Sequence, residues 1–124
     1  MDEQKFNRIV TDLNEFEGVQ EVHLLNEEGN IIFKSGEYSI NDKESIKLLY
    51  SWKNKESAIS YQNFRYAIIK NDEIQLAAKN NSADKGSIAG SITSEGDYLI
   101  VHIAKETDII LLEWTILVNK LAWG

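Results

Sequence analysis

Two histidines and two adjacent acid pairs are the residues in this sequence best suited to acid–base chemistry. His23 and His102 each lie inside a predicted strand among apolar neighbours, a setting more typical of a hydrogen-bonded core residue than of a catalytic base. The pairs Glu27-Glu28 and Asp72-Glu73 lie in predicted turns, where carboxylates are solvated, whereas acid–base catalysis needs desolvated groups. We therefore expect that this protein is not an enzyme.

Motifs for metal, phosphate or nucleophilic chemistry are absent from the sequence. It has no cysteine, no GxSxG, no GxGxxG after a strand, no GxxxxGK and no HExxH. Asn80, Ser82 and Asp84 are spaced like calcium ligands, but Lys85 stands where the loop needs glycine and no glutamate closes it. We expect a solvated turn there, with no metal site and no cofactor.

Length and charge limit the classes of protein that remain. The chain has 124 residues, of which 43% are apolar, and this size predicts one domain over residues 1–124. The net charge of −7 disfavours nucleic acid and anionic membranes as partners. The sequence shows neither a secretory signal nor an apolar run long enough to span a membrane, so we expect a cytoplasmic protein.

The spacing of apolar residues predicts an α+β fold, within the broad α/β class, built around a central antiparallel sheet. Helices are predicted over about 3–17, from a start at Asn41 to about residue 55, and from a cap at Thr107 to about residue 122. Ile46, Leu49 and Tyr50 form the apolar stripe of the second helix. Strand-like runs occur at 19–26, 30–35, 58–61, 65–70, 74–79, 87–93 and 98–105, which predicts a sheet of six to seven strands.

The last strand and last helix indicate how the layers pack. Residues 98–104 are apolar on both faces of a strand, so helices should cover both sides of the sheet. The last helix is apolar around most of its circumference, and such a helix either lies deep against the sheet or presents a face to a partner.

Several segments of the second half resemble the profilin family. They are RYAIIK at 65–70, the small-residue run KGSIAGSIT at 85–93, and the turn and strand TSEGDYLIVHIAKE at 93–106, in which Ala104-Lys105-Glu106 stands where profilins have G-K-E. In the first helix, Phe6 and Ile9 stand where profilins have tryptophan and tyrosine. This resemblance implies N- and C-terminal helices on one face of the sheet and the middle helix on the other.

A second family shares the helix–hairpin–helix–sheet–helix plan. The opening EVHLLNEEGNIIFKS at 21–35 is similar to that of the roadblock/LC7 proteins, homodimeric regulators or scaffolds of small GTPases. The two families make different predictions: a profilin has residues 87–93 as a strand within the sheet and is a monomer, whereas a roadblock protein is a dimer.

The resemblance to profilins implies a protein that binds the actin monomer and regulates actin polymerisation in the cytoskeleton. Profilins bind actin through the later strands and the start of the final helix. Carried over by position, the actin-binding face would contain Arg65, Ala67, Ile69, Lys70, Lys79, Asp108, Ile109, Leu112 and Glu113. An apolar centre with a charged rim is the usual construction of such an interface.

The second profilin site binds proline-rich peptides on aromatic rings, and here the sequence departs from the family. The matching positions are Phe6, Ile9, Ile32 and Trp123, of which only two carry rings. We therefore expect weak or absent binding of proline-rich peptides. The acidic composition also argues against phosphoinositide binding. These departures suit a distant member of the family, such as an archaeal one.

Overall fold

The computed structural model describes residues 1–36, 40–72, 74–81 and 84–124. Glu73 and Ser82, named above in an acid pair and a loop, lie outside the described residues. The chain forms three helices and seven strands within this part: α1 (Glu3–Leu13), β1 (Val19–Leu25), β2 (Ile31–Ser35), α2 (Asp42–Lys53), β3 (Ala58–Tyr61), β4 (Phe64–Asn71), β5 (Gln75–Lys79), β6 (Ser87–Ile92), β7 (Tyr98–Ile103) and α3 (Leu111–Trp123).

The first two helices begin with side-chain caps, and the third does not. Asn41 caps α2 as predicted, because its side chain accepts a hydrogen bond from the backbone N–H of Glu44. The predicted cap of α3 at Thr107 is wrong: α3 begins at Leu111, and the residue before it makes no side-chain cap. The Thr107 hydroxyl instead donates to the Ile109 carbonyl and accepts from Trp114 Nε1, so it closes a turn of the preceding loop.

The seven strands form one antiparallel sheet in the order β2-β1-β7-β6-β5-β4-β3. β6 lies between β5 and β7 and pairs with both, as the resemblance to profilins requires. Five strands lie between α2 and α3. The predicted α+β architecture is therefore confirmed.

Helices pack on both faces of the sheet, as residues 98–104 indicated. Alternate residues of β7 enter two different cores: Val101 packs with residues of α1 and α3, and Ile100 packs with residues of α2. We call the first side the α3 side of the sheet and the other the α2 side. Among the described residues, no helix combines the length and apolar character that a membrane span requires.

Two helices differ from their predicted extent or orientation. α1 ends at Leu13, four residues before the predicted end, and Asn14 caps it. In α2, the inward stripe contains Leu48, Leu49 and Trp52, whereas Ile46 and Tyr50 of the predicted stripe face outward. The prediction missed the true stripe because residues on both sides of this helix are apolar.

Candidate functional site

A β-bulge in β4 places four of the predicted interface residues on the α3 side of the sheet or at the bulge itself. Tyr66 and Ile68 face the α2 core, so Arg65 and Ala67 face the opposite side by alternation. Strict alternation would turn Lys70 away from them. The pairing shifts between Ile68 and Lys70, however, so that Ala67 pairs with Lys79 and Lys70 pairs with Ala77. The extra residue, Ile69, brings Lys70 back to the α3 side.

α3 leaves this part of the sheet uncovered. The helix packs over β5, β6 and β7, and β4 and β3 lie beyond it at the edge of the sheet. On the α3 side, Arg65 is exposed and Ala67 half-buried, and Ile69 is 55% exposed. β4 therefore presents an apolar side chain and a guanidinium to solvent beside α3.

A groove connects the strands with the loop that precedes α3. It has a volume of about 350 Å³, and Lys79, Ser87, Ile109 and Leu111 are among the residues that line it. Lys79 from β5 and Ile109 from the loop thus lie on the same depression. Asp108 and Ile109 belong to this loop, not to α3, which corrects their predicted place on the helix.

The first turns of α3 supply the largest apolar contribution. Leu112 is 46% exposed, and Glu113 beside it is also exposed. Two further residues that were not predicted from the sequence are exposed as well: Ile110 at 63% and Ile116 at 59%. The signal that could have found Ile116 is its spacing, because it lies one helical turn after Leu112 and on the same side.

We call the whole set the β4–α3 surface. It contains the nine predicted residues together with the two that the structure adds: Arg65, Ala67, Ile69, Lys70, Lys79, Asp108, Ile109, Leu112 and Glu113, with Ile110 and Ile116. Exposed apolar side chains gathered in this way are typical of a protein–protein interface.

Charged groups surround the apolar centre of the β4–α3 surface. Arg65 makes no ion pair with any residue that the structure describes. Lys70 donates to Gln75 Oε1 at 2.8 Å and lies 3.7 Å from Asp72 Oδ2. The Asp72 carboxylate accepts hydrogen bonds from the backbone N–H groups of Gln75 and Ile74 and so caps a turn. The Gln75 hydrogen bond, the Ile74 hydrogen bond and the nearby Lys70 ammonium hold the pKa of Asp72 below its usual range. The strands thus contribute mainly positive charge, and the start of α3 contributes Glu113.

The residues that match the polyproline site of profilins do not form a ring platform. Phe6 and Ile9 are only 2% exposed in the core of the α3 side, where the Phe6 ring packs against Phe33. Ile32 and Trp123 are exposed, and Trp123 Nε1 donates to the Ile92 carbonyl. Only one of the two predicted rings is therefore accessible to a peptide.

The two histidines lie on the α2 side of the sheet, away from the β4–α3 surface. His102 Nδ1 lies 2.8 Å from Glu21 Oε1, and its Nε2 lies 2.7 Å from the Lys85 carbonyl oxygen. His102 is thus the hydrogen-bonded core residue that the sequence predicted. His23 is buried too, but neither of its ring nitrogens has a hydrogen-bond partner among the described residues, which corrects that part of the prediction.

No metal centre can be assembled from the described residues. Nowhere in 1–36, 40–72, 74–81 and 84–124 do three or more His, Cys, Asp or Glu side chains form a group suited to hold a metal ion. Asp84 of the calcium-like loop instead pairs with Lys105, with Oδ1 3.1 Å from Nζ.

Comparison with known proteins gives one close relative and several similar structures. No protein-family model matches the chain. The curated protein Loki profilin-3 from Lokiarchaeum sp. (strain GC14_75) is 58% identical over 124 residues, which cover 100% of both chains. The archaeal source of this relative fits the expectation of an archaeal member.

The similar solved structures are also profilins. LokiProfilin1 in complex with rabbit actin has a TM-score of 0.80 at 21% identity, over 98% of this chain and 93% of that chain. LokiProfilin2 in complex with rabbit actin has a TM-score of 0.79 at 19% identity, over 98% and 95%. Profilin IB of Acanthamoeba castellanii has a TM-score of 0.69 at 15% identity, over 94% and 89%.

These two kinds of similarity support conclusions of different strength. The solved structures share the fold of this chain, in which the strand at 87–92 lies within the sheet. The relative matches along the whole length at more than half of all positions, and nothing in the comparisons favours the roadblock alternative. The chain belongs to the profilin family.

Proposed function

We propose that this protein binds the actin monomer through the β4–α3 surface and thereby regulates actin polymerisation. The observation that carries the proposal is the uncovered apolar strip on α3 and β4, where Leu112, Ile116 and Ile69 are 46%, 59% and 55% exposed. The relative is named a profilin, and two of the similar structures are profilins bound to rabbit actin.

The chemistry of the surface suits a standard protein interface. Apolar side chains at its centre lose water on binding, which supplies most of the favourable free energy. Arg65 has no ion pair within the described part of the chain, so its guanidinium is available to a carboxylate of the partner. Arginine is common among the residues that dominate binding energy.

Binding, with no chemical step, is the whole of the proposed activity. The protein would occupy one end of the actin monomer and so prevent that end from joining a filament. We propose that it does so as a cytoplasmic, monomeric single domain without a cofactor. The buried His102 and the turn-capping Asp72 are each held by hydrogen bonds within the fold, which agrees with a protein that is not an enzyme.

The test is the polymerisation of rabbit ATP-actin in the presence of increasing amounts of this protein, followed by sedimentation. We expect a dose-dependent fall in pelleted actin, with the protein remaining in the supernatant. Arg65→Glu should raise the concentration needed by about tenfold, the range for loss of an interface arginine. The matched control is Arg8→Glu, because Arg8 is the other arginine of the chain and lies exposed on α1.

Two results would contradict the proposal. One is an unchanged amount of pelleted actin at a large molar excess of the wild-type protein. The other is an equal effect of Arg65→Glu and Arg8→Glu, which would place the binding surface elsewhere. Circular dichroism melts of both variants should match the wild type, because exposed substitutions usually change stability by no more than about 0.5 kcal/mol.

A further inference from the structure

A second exposed apolar pair lies on α2, on the other side of the sheet from α3. Ile46 is 43% exposed and Tyr50 is 61% exposed. They are four residues apart on one helix, so their side chains are neighbours on its outer face. The inner face of α2 packs against the α2-side core, and Ile46 and Tyr50 are not part of that core.

Two lysines border the same face and converge on a depression. Lys43 and Lys47 are also four residues apart, and both are exposed. With Asn41, Ser60 and Asn63 they line a cavity of about 300 Å³ between α2 and the β3–β4 turn, and Glu44 is the one acid that lines it among the residues that the structure describes. Neither lysine has an ion-pair partner within the part of the chain that the structure describes.

The charge of this region is opposite to that of the whole chain. Residues 42–55 contain four lysines and two acids, whereas the chain as a whole carries a net charge of −7. A locally positive patch attracts acidic partners and repels the same patch on a second copy of the chain. Charge complementarity therefore selects an acidic ligand, and the exposed Ile46 and Tyr50 select one that also carries an apolar side chain.

We propose that Lys43, Ile46, Lys47 and Tyr50, the α2 surface, bind an acidic protein segment with an apolar anchor. Carboxylates of the segment occupy the cavity lined by Lys43 and Lys47, and its apolar side chain packs on Ile46 and Tyr50. α2 and α3 cover opposite faces of the sheet, so this segment does not compete for the β4–α3 surface. The proposal is independent of actin binding.

The probe for a binding test is a short fluorescein-labelled peptide in which two leucines are flanked by aspartates and glutamates. Fluorescence anisotropy should show saturable binding. Lys43→Glu/Lys47→Glu should weaken that binding by at least about tenfold, and Tyr50→Ser should weaken it severalfold. The charge-matched control is Arg8→Glu/Lys120→Glu, which reverses two exposed basic residues of α1 and α3 on the other side of the sheet and should change the affinity by less than about twofold.

Further controls separate specific recognition from general attraction. A peptide with serines in place of the leucines should bind at least about tenfold more weakly, and ¹⁵N chemical-shift changes with the leucine peptide should centre on α2. Equal binding of the serine peptide, or equal loss in the two charge-reversal double variants, would overturn the proposal. So would binding of phosphatidylserine vesicles with no binding of the peptide. Thermal melts of all variants must match the wild type for these comparisons.

Discussion

The hydroxyl of Tyr61 donates a hydrogen bond to Glu21 Oε1 at 3.1 Å, although four strands lie between β3 and β1 in the sheet. The sheet must therefore curl so that its two halves face each other on the α2 side. The same oxygen also accepts hydrogen bonds from Gln62 Nε2 at 3.1 Å and from His102 Nδ1 at 2.8 Å. This buried carboxylate oxygen of β1 therefore connects β1 to β7, to the end of β3 and to the turn that follows β3.

Removal of this carboxylate should destabilise the fold strongly. In Glu21→Leu, the Tyr61 hydroxyl and His102 Nδ1 lose their acceptor in a buried site, and each buried polar group left without a partner costs about 1–3 kcal/mol. Tyr61→Phe removes one donor and leaves the carboxylate with two, so its cost should be about 1 kcal/mol. Urea unfolding at neutral pH measures both free energies.

A matched acid in a solvated position provides the control for this comparison. Glu28→Leu alters an exposed turn residue and should change the free energy of unfolding by no more than about 0.5 kcal/mol. Equal costs for Glu21→Leu and Glu28→Leu would show that the curled sheet does not depend on the buried cluster.

His23 should make the protein sensitive to mild acid. Burial lowers the pKa of His23 from 6.5 to about 4, so the unfolded chain binds a proton between these values and the folded chain does not. Stability is then fully present above pH 6.5 and falls as the pH decreases towards 4. The loss that this residue causes by pH 5 is about 2 kcal/mol.

The variant His23→Leu isolates that contribution. Its free energy of unfolding should fall less than that of the wild type between pH 7 and pH 5, by about 2 kcal/mol. At pH 7 it should be at least as stable, because a buried ring whose nitrogens have no hydrogen-bond partner among the described residues is replaced by an apolar side chain. The same pH dependence in both proteins would contradict the assignment.

Local patterns in the sequence predicted most of the helices and strands. They failed where the structure depends on contacts between residues that are distant in the sequence. Alternation and turn residues located all seven strands to within a few residues, because both signals act over short distances. Thr107 has the chemistry of a helix cap, but Trp114 Nε1 donates to its hydroxyl, and no local pattern reveals that contact. The bulge at Ile69 and the contact between Tyr61 and Glu21 likewise depend on pairing and curvature across the sheet.

The same limit applied to the candidate site. The resemblance to profilins supplied the positions on β4, β5 and the loop before α3, and the structure shows that Lys79 and Ile109 line one groove. The resemblance could not show which of these side chains are buried. Phe6 was therefore predicted to lie on a peptide-binding surface, whereas it lies in the core. Ile116 lies one helical turn after Leu112, but this spacing was overlooked because the sequence of α3 is apolar on every side and packing decides which stripe is exposed.

Proline-rich peptides should leave the tryptophan emission of this protein unchanged. Trp52 and Trp114 are buried and Trp123 is 52% exposed, so a peptide on the expected site would alter the signal of Trp123. One accessible ring gives a polyproline helix too little flat surface to pack against. Titration with a polyproline peptide tests this, and a saturable change at micromolar peptide would contradict it. Trp123→Phe would then show whether that residue is the source.

The centre of the β4–α3 surface should contribute more to actin affinity than its rim. Ile116 is 59% exposed and lies one helical turn after Leu112 on α3, so Ile116→Asp places a charge where apolar contact is proposed. We expect the dissociation constant for monomeric actin to rise by more than about tenfold, which corresponds to about 1.4 kcal/mol. Calorimetric titration of actin that is blocked from polymerising gives this constant directly.

The control variant is Ile46→Asp on α2, which introduces the same charge at a residue that is 43% exposed on the opposite side of the sheet. The affinity of this variant for actin should stay within about twofold of the wild type. An equal loss in both variants would mean that the effect arises from altered folding or net charge, and unchanged binding by Ile116→Asp would place actin elsewhere on the molecule.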